Sequence, residues 1–118
     1  MDRIREIKWY KNYFMDFYLQ RTEKERLKIQ YTLKIIETQK IVPSRFLKKI
    51  EGVNGLYEIR IEFESNIFRI FCCNDNGSIV VLFNGFQKKS QKTPSDEIQR
   101  AKKIMDDYFN DKRNGRIN

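Results

Sequence analysis

The chain has 118 residues, 40% of them hydrophobic and 14% aromatic, enough for one packed core and too few for two. No apolar run approaches the roughly 18 residues that a membrane helix needs. The start, Met1-Asp2-Arg3-Ile4-Arg5-Glu6, has no apolar signal region, so a cytoplasmic protein without membrane contact is expected. The formal net charge is +8, and residues 21–50 alone hold nine Lys/Arg against three Glu, an excess that favours polyanionic partners or simply a solvated helical surface.

Cys72 and Cys73 are adjacent. Neighbouring side chains of a strand point to opposite faces, so a disulfide between them would be strained, and they read as reduced, buried fillers. Without histidine or CxxC spacing, a zinc site has no support.

In chain order, residues 3–10 suit a first strand ending in Trp9 and Tyr10. Residues 11–20 place Phe14, Phe17 and Tyr18 at helical spacing. Thr22 and Glu25 fit a capping box that opens a helix running to about Thr38. Its apolar positions (Leu27, Tyr31 and Ile35 on one edge; Ile29, Leu33 and Ile36 on another) predict packing on two neighbours. Pro43 interrupts, and Gly52 and Gly55 bracket the turn into a sheet.

Three strand-like runs follow, at 56–61, 67–73 and 78–86, rich in Val, Ile, Phe and Tyr. Asn76-Gly77 separates the last two and tolerates positive φ at both positions, a strong hairpin signal. Alternation puts Glu58, Arg60 and Glu62 on one face of the first run and Tyr57, Ile59 and Ile61 on the other. Arg69 shares a face with Ile67 and Phe71, while Phe68, Ile70 and Cys72 take the opposite one. Ile59 and Ile61 mark the buried face, so Glu58, Arg60 and Arg69 are expected to look out from an open one. Thr93 suits an N-cap, Pro94 a first helical position and Asp96 a capping acid for a last helix, with Ile98, Ala101, Met105 and Tyr108 facing the core. From Asp111 on the chain reads as a frayed or disordered tail.

Arg60 and Arg69 on neighbouring strands, with Lys88, Lys89 and Lys92 in a loop entering a helix N-terminus, outline a phosphate-binding surface. Phe71 and Phe86 are aromatic candidates for stacking on a base. The plainer alternative is a cross-strand ion-pair ladder of Glu58, Arg60, Glu62 and Arg69 beside a solvated lysine loop. The residues alone do not choose between the two.

Gly55-Leu-Tyr-Glu-Ile-Arg-Ile-Glu62, Phe68-Arg-Ile-Phe71 and above all Gly85-Phe-Gln-Lys-Lys-Ser-Gln-Lys-Thr-Pro-Ser-Asp-Glu-Ile-Gln-Arg-Ala101 resemble the phage-derived, HigB-like branch of the RelE/ParE toxin superfamily. The resemblance spans about residues 1–110, as a single domain. It implies an α+β, RelE-like fold: a small antiparallel sheet of about four strands, two N-terminal helices on one face, and a C-terminal helix. It also implies the toxin of a type II toxin–antitoxin system, a ribosome-dependent mRNA endonuclease that needs no metal or other cofactor. In such enzymes the RNA 2′-hydroxyl attacks the adjacent phosphate and leaves a cyclic phosphate. Carried onto this chain, the catalytic set is Arg60, Arg69, Lys89 and Lys92. The arginines hold the phosphate and stabilise its developing charge. The lysines position RNA, and one of them transfers a proton. Lys88, Phe86, Phe71 and Glu58 complete the RNA contact.

The implied partners are a cognate helix-turn-helix, HigA-like antitoxin, the ribosome with its mRNA, and operator DNA through the antitoxin complex alone. The chain departs from relatives that carry a C-terminal histidine or tyrosine for acid–base work. It has no histidine, and the spacing of Tyr108 points to the core. Two other readings compete: a ParE-like gyrase inhibitor with the same fold, and a non-toxic basic nucleic-acid-binding module.

Overall fold

A computed structural model describes residues 2–89 and 92–117. The elements in order are β1 (Glu6–Trp9), α1 (Tyr13–Leu19), α2 (Glu23–Thr38), β2 (Leu47–Lys49), β3 (Leu56–Phe63), β4 (Asn66–Asp75), β5 (Ile79–Lys88) and α3 (Ser95–Arg113). The strands form one five-stranded sheet in the order β1-β5-β4-β3-β2. The α+β, RelE-like arrangement is as the sequence implies, and the sheet is larger and mixed. β1 runs parallel to β5, with Glu6 opposite Ile79 and Trp9 opposite Leu82. The three-residue β2 adds an antiparallel edge, Lys48 opposite Glu58. Leu47-Lys48-Lys49 is too short to show an alternation, so only its pairing with β3 reveals it as a strand.

The local signals for the β4–β5 turn and for the start of α2 hold. Asn76 and Gly77 take φ of 55° and 75° in the β4–β5 hairpin. Glu25 N–H donates to Thr22 Oγ1 at 3.2 Å, and Thr22 N–H donates to Glu25 Oε1 at 2.9 Å, closing the capping box of α2. At α3 the expected cap does not form. Pro94 occupies the N-cap position without a side-chain cap, and the Thr93 hydroxyl turns to Glu58 instead, donating to Oε1 at 3.1 Å.

Helices pack on both faces of the sheet. On the first, Phe14, Phe17, Ile29 and Ile36 of α1 and α2 pack on Ile59, Ile61, Phe68, Ile70, Cys72 and Leu82. On the second, Ala101, Ile104, Met105 and Tyr108 of α3 pack on Leu56, Phe71, Cys73, Val81 and Phe83. The face expected to be open is therefore half roofed by α3. The apolar face of α2 is narrower than its sequence implies, because the helix meets the sheet along Ile29, Thr32 and Ile36 and leaves Leu27 and Tyr31 exposed.

Two polar contacts fasten the far end of α3. Tyr108 O–H donates to Asp75 Oδ2 at 2.7 Å, and Lys112 Nζ lies 2.7 Å from both Asp75 oxygens. The Tyr10 hydroxyl donates to the Asp111 carboxylate, which also accepts from Arg116 at 3.2 Å. Asp111, placed by its sequence in a frayed tail, thus lies inside a helix that continues to Arg113. Cys72 and Cys73 are free and buried, one facing each layer, and burial pushes the Cys73 thiol up to about 12.

Candidate functional site

Strand register builds the site. Glu58 pairs with Phe71, Arg60 with Arg69 and Glu62 with Ile67 across β3 and β4. Arg69 pairs with Phe86 and Ile67 with Lys88 across β4 and β5. Directly opposed residues of an antiparallel pair share a face, so Arg60, Arg69, Phe86 and Lys88 all stand on the side that α3 partly roofs. A shift of register between Ile70 and Cys72 sets this up on β5: Leu82 opposes Cys72 and Gly85 opposes Ile70, so Phe83 and Asn84 together face Phe71. The extra residue restarts the alternation, and Phe86 and Lys88 land beside Arg69 rather than against α1.

Two arginines facing each other across a ladder repel. Glu58 answers this from one step along, its Oε2 lying 3.4 Å from Arg69 Nε and 3.5 Å from Arg60 Nε. These are ion-pair distances without hydrogen-bond alignment. Both Nε atoms are buried and have no hydrogen-bond acceptor among the described residues. Arg69 is only 2% exposed and is otherwise held by Nη1 donating to Phe68 O at 3.0 Å. Burial, with Arg60 adding to it, lowers the Arg69 pKa against the pull of Glu58. Such a guanidinium lacks the solvation that water gives, and a bound anion would supply it. Of the ion-pair ladder read from sequence, Glu58, Arg60 and Arg69 form a cluster around Glu58, beneath an open depression. That depression, of about 620 Å³, is lined by Arg60, Glu62, Ile67, Arg69, Lys88 and Lys89, with Ser65 at its edge.

The structure redistributes the sequence candidates. Arg60, Arg69, Lys88 and Lys89 come together, with Lys89 at the exposed rim. Lys92 lines a separate depression with Glu51, Val53, Thr93 and Ile98. Phe71 is fully buried and stacks on Phe86 at 5.7 Å between centroids, so it has no face for a base. Phe86 is partly exposed beside Arg69, and Glu58 acts as the buried counter-ion of the arginines, 5% exposed. Lys88, read only as an RNA contact, is the lysine whose pKa is lowered, first by burial and then by Arg69. The Thr93–Glu58 bond was missed, because the Thr-Pro pair reads locally as a cap. Among the described residues no three of Asp, Glu or Cys gather as a metal site would require.

A small sheet with two helices packed on one face and a third helix on part of the other is a RelE-like fold. The crystal structure of the archaeal RelE-RelB complex from Pyrococcus horikoshii OT3 shares this fold, with a TM-score of 0.54 and 13% identity over 76% of this chain and 99% of that one. Residues 18–106 match the family described as Phage derived protein Gp49-like (DUF891), and the chain belongs to it. Comparison with curated proteins gives no match. Among the described residues no helix is long and apolar enough to cross a membrane.

Proposed function

We propose that the protein is the toxin of a type II toxin–antitoxin pair, of the HigB-like kind, acting in the cytoplasm as a ribosome-dependent mRNA endonuclease that inhibits translation. Family membership and a RelE-like fold support a toxin, and the RelE-RelB pairing of the archaeal relative supports a cognate antitoxin, here a helix-turn-helix protein. The observation that carries the catalytic reading is Arg69: a buried guanidinium beside Arg60 and Lys88, its Nε–H without an acceptor, under an open depression.

The chemistry follows from those groups. The scissile phosphate sits against Arg60 and Arg69. The 2′-oxygen of the upstream nucleotide gives up its proton to water and forms a bond to phosphorus, and the bond from phosphorus to the 5′-oxygen breaks. The phosphorane-like transition state carries an additional negative charge, which the two fixed guanidinium groups stabilise without reorganising. Lys88, its ammonium form already disfavoured by its surroundings, donates the proton that the departing 5′-oxygen needs. The products are a 2′,3′-cyclic phosphate and a free 5′-hydroxyl, with no metal-bound water involved.

The test is cleavage of mRNA on translating ribosomes, read by primer extension. Wild type should cut in the presence of chelator, and a single 2′-deoxy at the scissile nucleotide should block cutting. Arg60→Ala and Arg69→Met should each lower the rate by about 10²–10³-fold. Methionine is chosen at position 69 because the site is buried and a shorter side chain would leave a hole. Cleavage abolished by chelator and restored by Mg²⁺ on intact ribosomes, or unchanged in Arg69→Met, would refute this reading.

A further inference from the structure

A second depression, of about 430 Å³, adjoins the arginine site. Lys28 and Tyr31 of α2, Arg45 and Phe46 ahead of β2, and Arg60 and Glu62 of β3 line it. Arg60 and Glu62 line both depressions. Arg60 N–H also donates to Phe46 O at 2.8 Å, which fixes the Arg45–Phe46 segment to the strand that carries the arginine.

The lining is unusual for a plain solvated groove. Tyr31 is 50% exposed although it lies on a helix whose apolar positions pack on the sheet. Lys28 Nζ lies 4.9 Å from the Tyr31 ring centroid, and the Arg45 guanidinium lies 4.8 Å from that of Phe46. Each ring therefore carries a cation of its own. Three cations face one carboxylate, Glu62, in this groove. Rings paired with cations beside a phosphate-sized arginine site are what a single-stranded polynucleotide requires: a π surface for a base and positive charge for the phosphate that follows it.

We propose that this groove is a nucleotide subsite, binding the nucleotide of single-stranded RNA adjacent to the phosphate held by Arg60 and Arg69. Its base stacks on Tyr31 or Phe46, and its phosphate pairs with Arg45 and Lys28. The inference rests on the RNA-cleaving reading above and extends the bound length beyond the reacting phosphate.

The test is fluorescence anisotropy at low salt with fluorescein-labelled 2′-O-methyl oligouridylates of one and four nucleotides, which cannot be cleaved. Wild type should bind the tetranucleotide more tightly than the mononucleotide. Tyr31→Ala should weaken the tetranucleotide by roughly five- to a hundred-fold and leave the mononucleotide unchanged, because stacking is the interaction removed. Tyr31→Phe should restore it, and Arg45→Ala should weaken only the longer ligand. Arg69→Met should weaken both lengths. Tetranucleotide binding that survives Tyr31→Ala and Arg45→Ala while still depending on Arg69 overturns the subsite and leaves the arginine site standing. Absence of any Arg69-dependent binding overturns both. Tyr31→Ala that loses binding to polyglutamate but keeps RNA binding would also overturn the subsite and assign the groove to an acidic polypeptide.

Discussion

The Thr93 hydroxyl donates a 3.1 Å hydrogen bond to Glu58 Oε1 and so ties the loop entering α3 to the carboxylate that lies between two arginines. Glu58 has two roles in consequence. It offsets part of the charge of Arg60 and Arg69 in the resting protein, and it anchors the start of the helix that packs on their face. A phosphate arriving at the site meets guanidinium groups already engaged with this carboxylate.

Glu58→Gln separates these roles, since glutamine can still accept from Thr93 but carries no charge. Removing one member of a buried ion pair leaves its partner uncompensated, and stability should fall by about 3 kcal/mol. Urea unfolding measures this. Affinity for inorganic phosphate should rise at the same time, because the competing anion is gone. Weaker phosphate binding in Glu58→Gln would show that the carboxylate helps to hold the anion through the arginines it orients.

Lys88 is assigned the leaving-group proton on its position and on the disfavoured charge of its ammonium form. Burial acts first and Arg69 second, and both bring its pKa below the usual 10.5. A general acid works while protonated, so cleavage should decline on the alkaline side at a pH below 10.5, and Lys88→Ala should lower the rate throughout. An RNA with sulfur in place of the scissile 5′-oxygen needs no such acid, because a thiolate leaves unaided. The Lys88→Ala defect should largely vanish on that substrate in a single-turnover assay. A defect of equal size on both substrates would reduce Lys88 to a phosphate contact.

Acid stability should depend on Asp75. Burial pushes its carboxyl up, but the hydrogen bonds from Lys112 and Tyr108 outweigh this, and the net pKa lies below the usual carboxylate value. A carboxyl with a lowered folded-state pKa contributes stability that is complete above its unfolded value, near 4, and lost as pH falls through the folded one. Melting temperature should therefore drop below about pH 4 in the wild type, and this part of the loss should be absent in Asp75→Asn. Tyr108→Phe should cost about 1 kcal/mol at neutral pH, the scale of one hydrogen bond. An identical acid profile in wild type and Asp75→Asn would place the acid sensitivity elsewhere.

Gly85 lies directly against Phe17 of α1. A Cβ there would stand 2.6 Å from Phe17 Cδ2 and 2.7 Å from its Cγ. Phe17 is itself buried and packed edge-on against Phe68, so its ring has little room to yield. Gly85→Ala should destabilise the fold by roughly 1–3 kcal/mol through overpacking. Gly85→Ala combined with Phe17→Leu should recover part of that loss. Chemical denaturation of the single and double variants measures both, and an unchanged midpoint in Gly85→Ala would mean that α1 moves aside freely.

Much of the scaffold was legible in the sequence because it depends on neighbours along the chain. The period of two in β3 and β4 sorted Glu58, Arg60 and Arg69 to one face and Ile59, Ile61, Phe68 and Ile70 to the other. Positive φ at Asn76-Gly77 and the Thr22–Glu25 box are set by single residues and their immediate partners. The arginine half of the site followed from the same alternation.

The rest was decided by surfaces that meet only in the folded chain. Strict alternation from Val81 and Phe83 would send Lys88 toward α1, and only the extra residue opposite Phe71 turns it to Arg69. α3 packs on the face that carries the arginines, which buries Phe71 and removes it as a stacking ring. Lys92 lines another depression, and Thr93 bonds Glu58 instead of capping the helix. Tyr31 lies at a core-like helical position yet faces a groove shared with Arg60. Alternation and φ preferences are fixed by local sterics, whereas register shifts and helix coverage are fixed by where distant apolar surfaces gain most by leaving water, and that is a property of the assembled sheet and helices together.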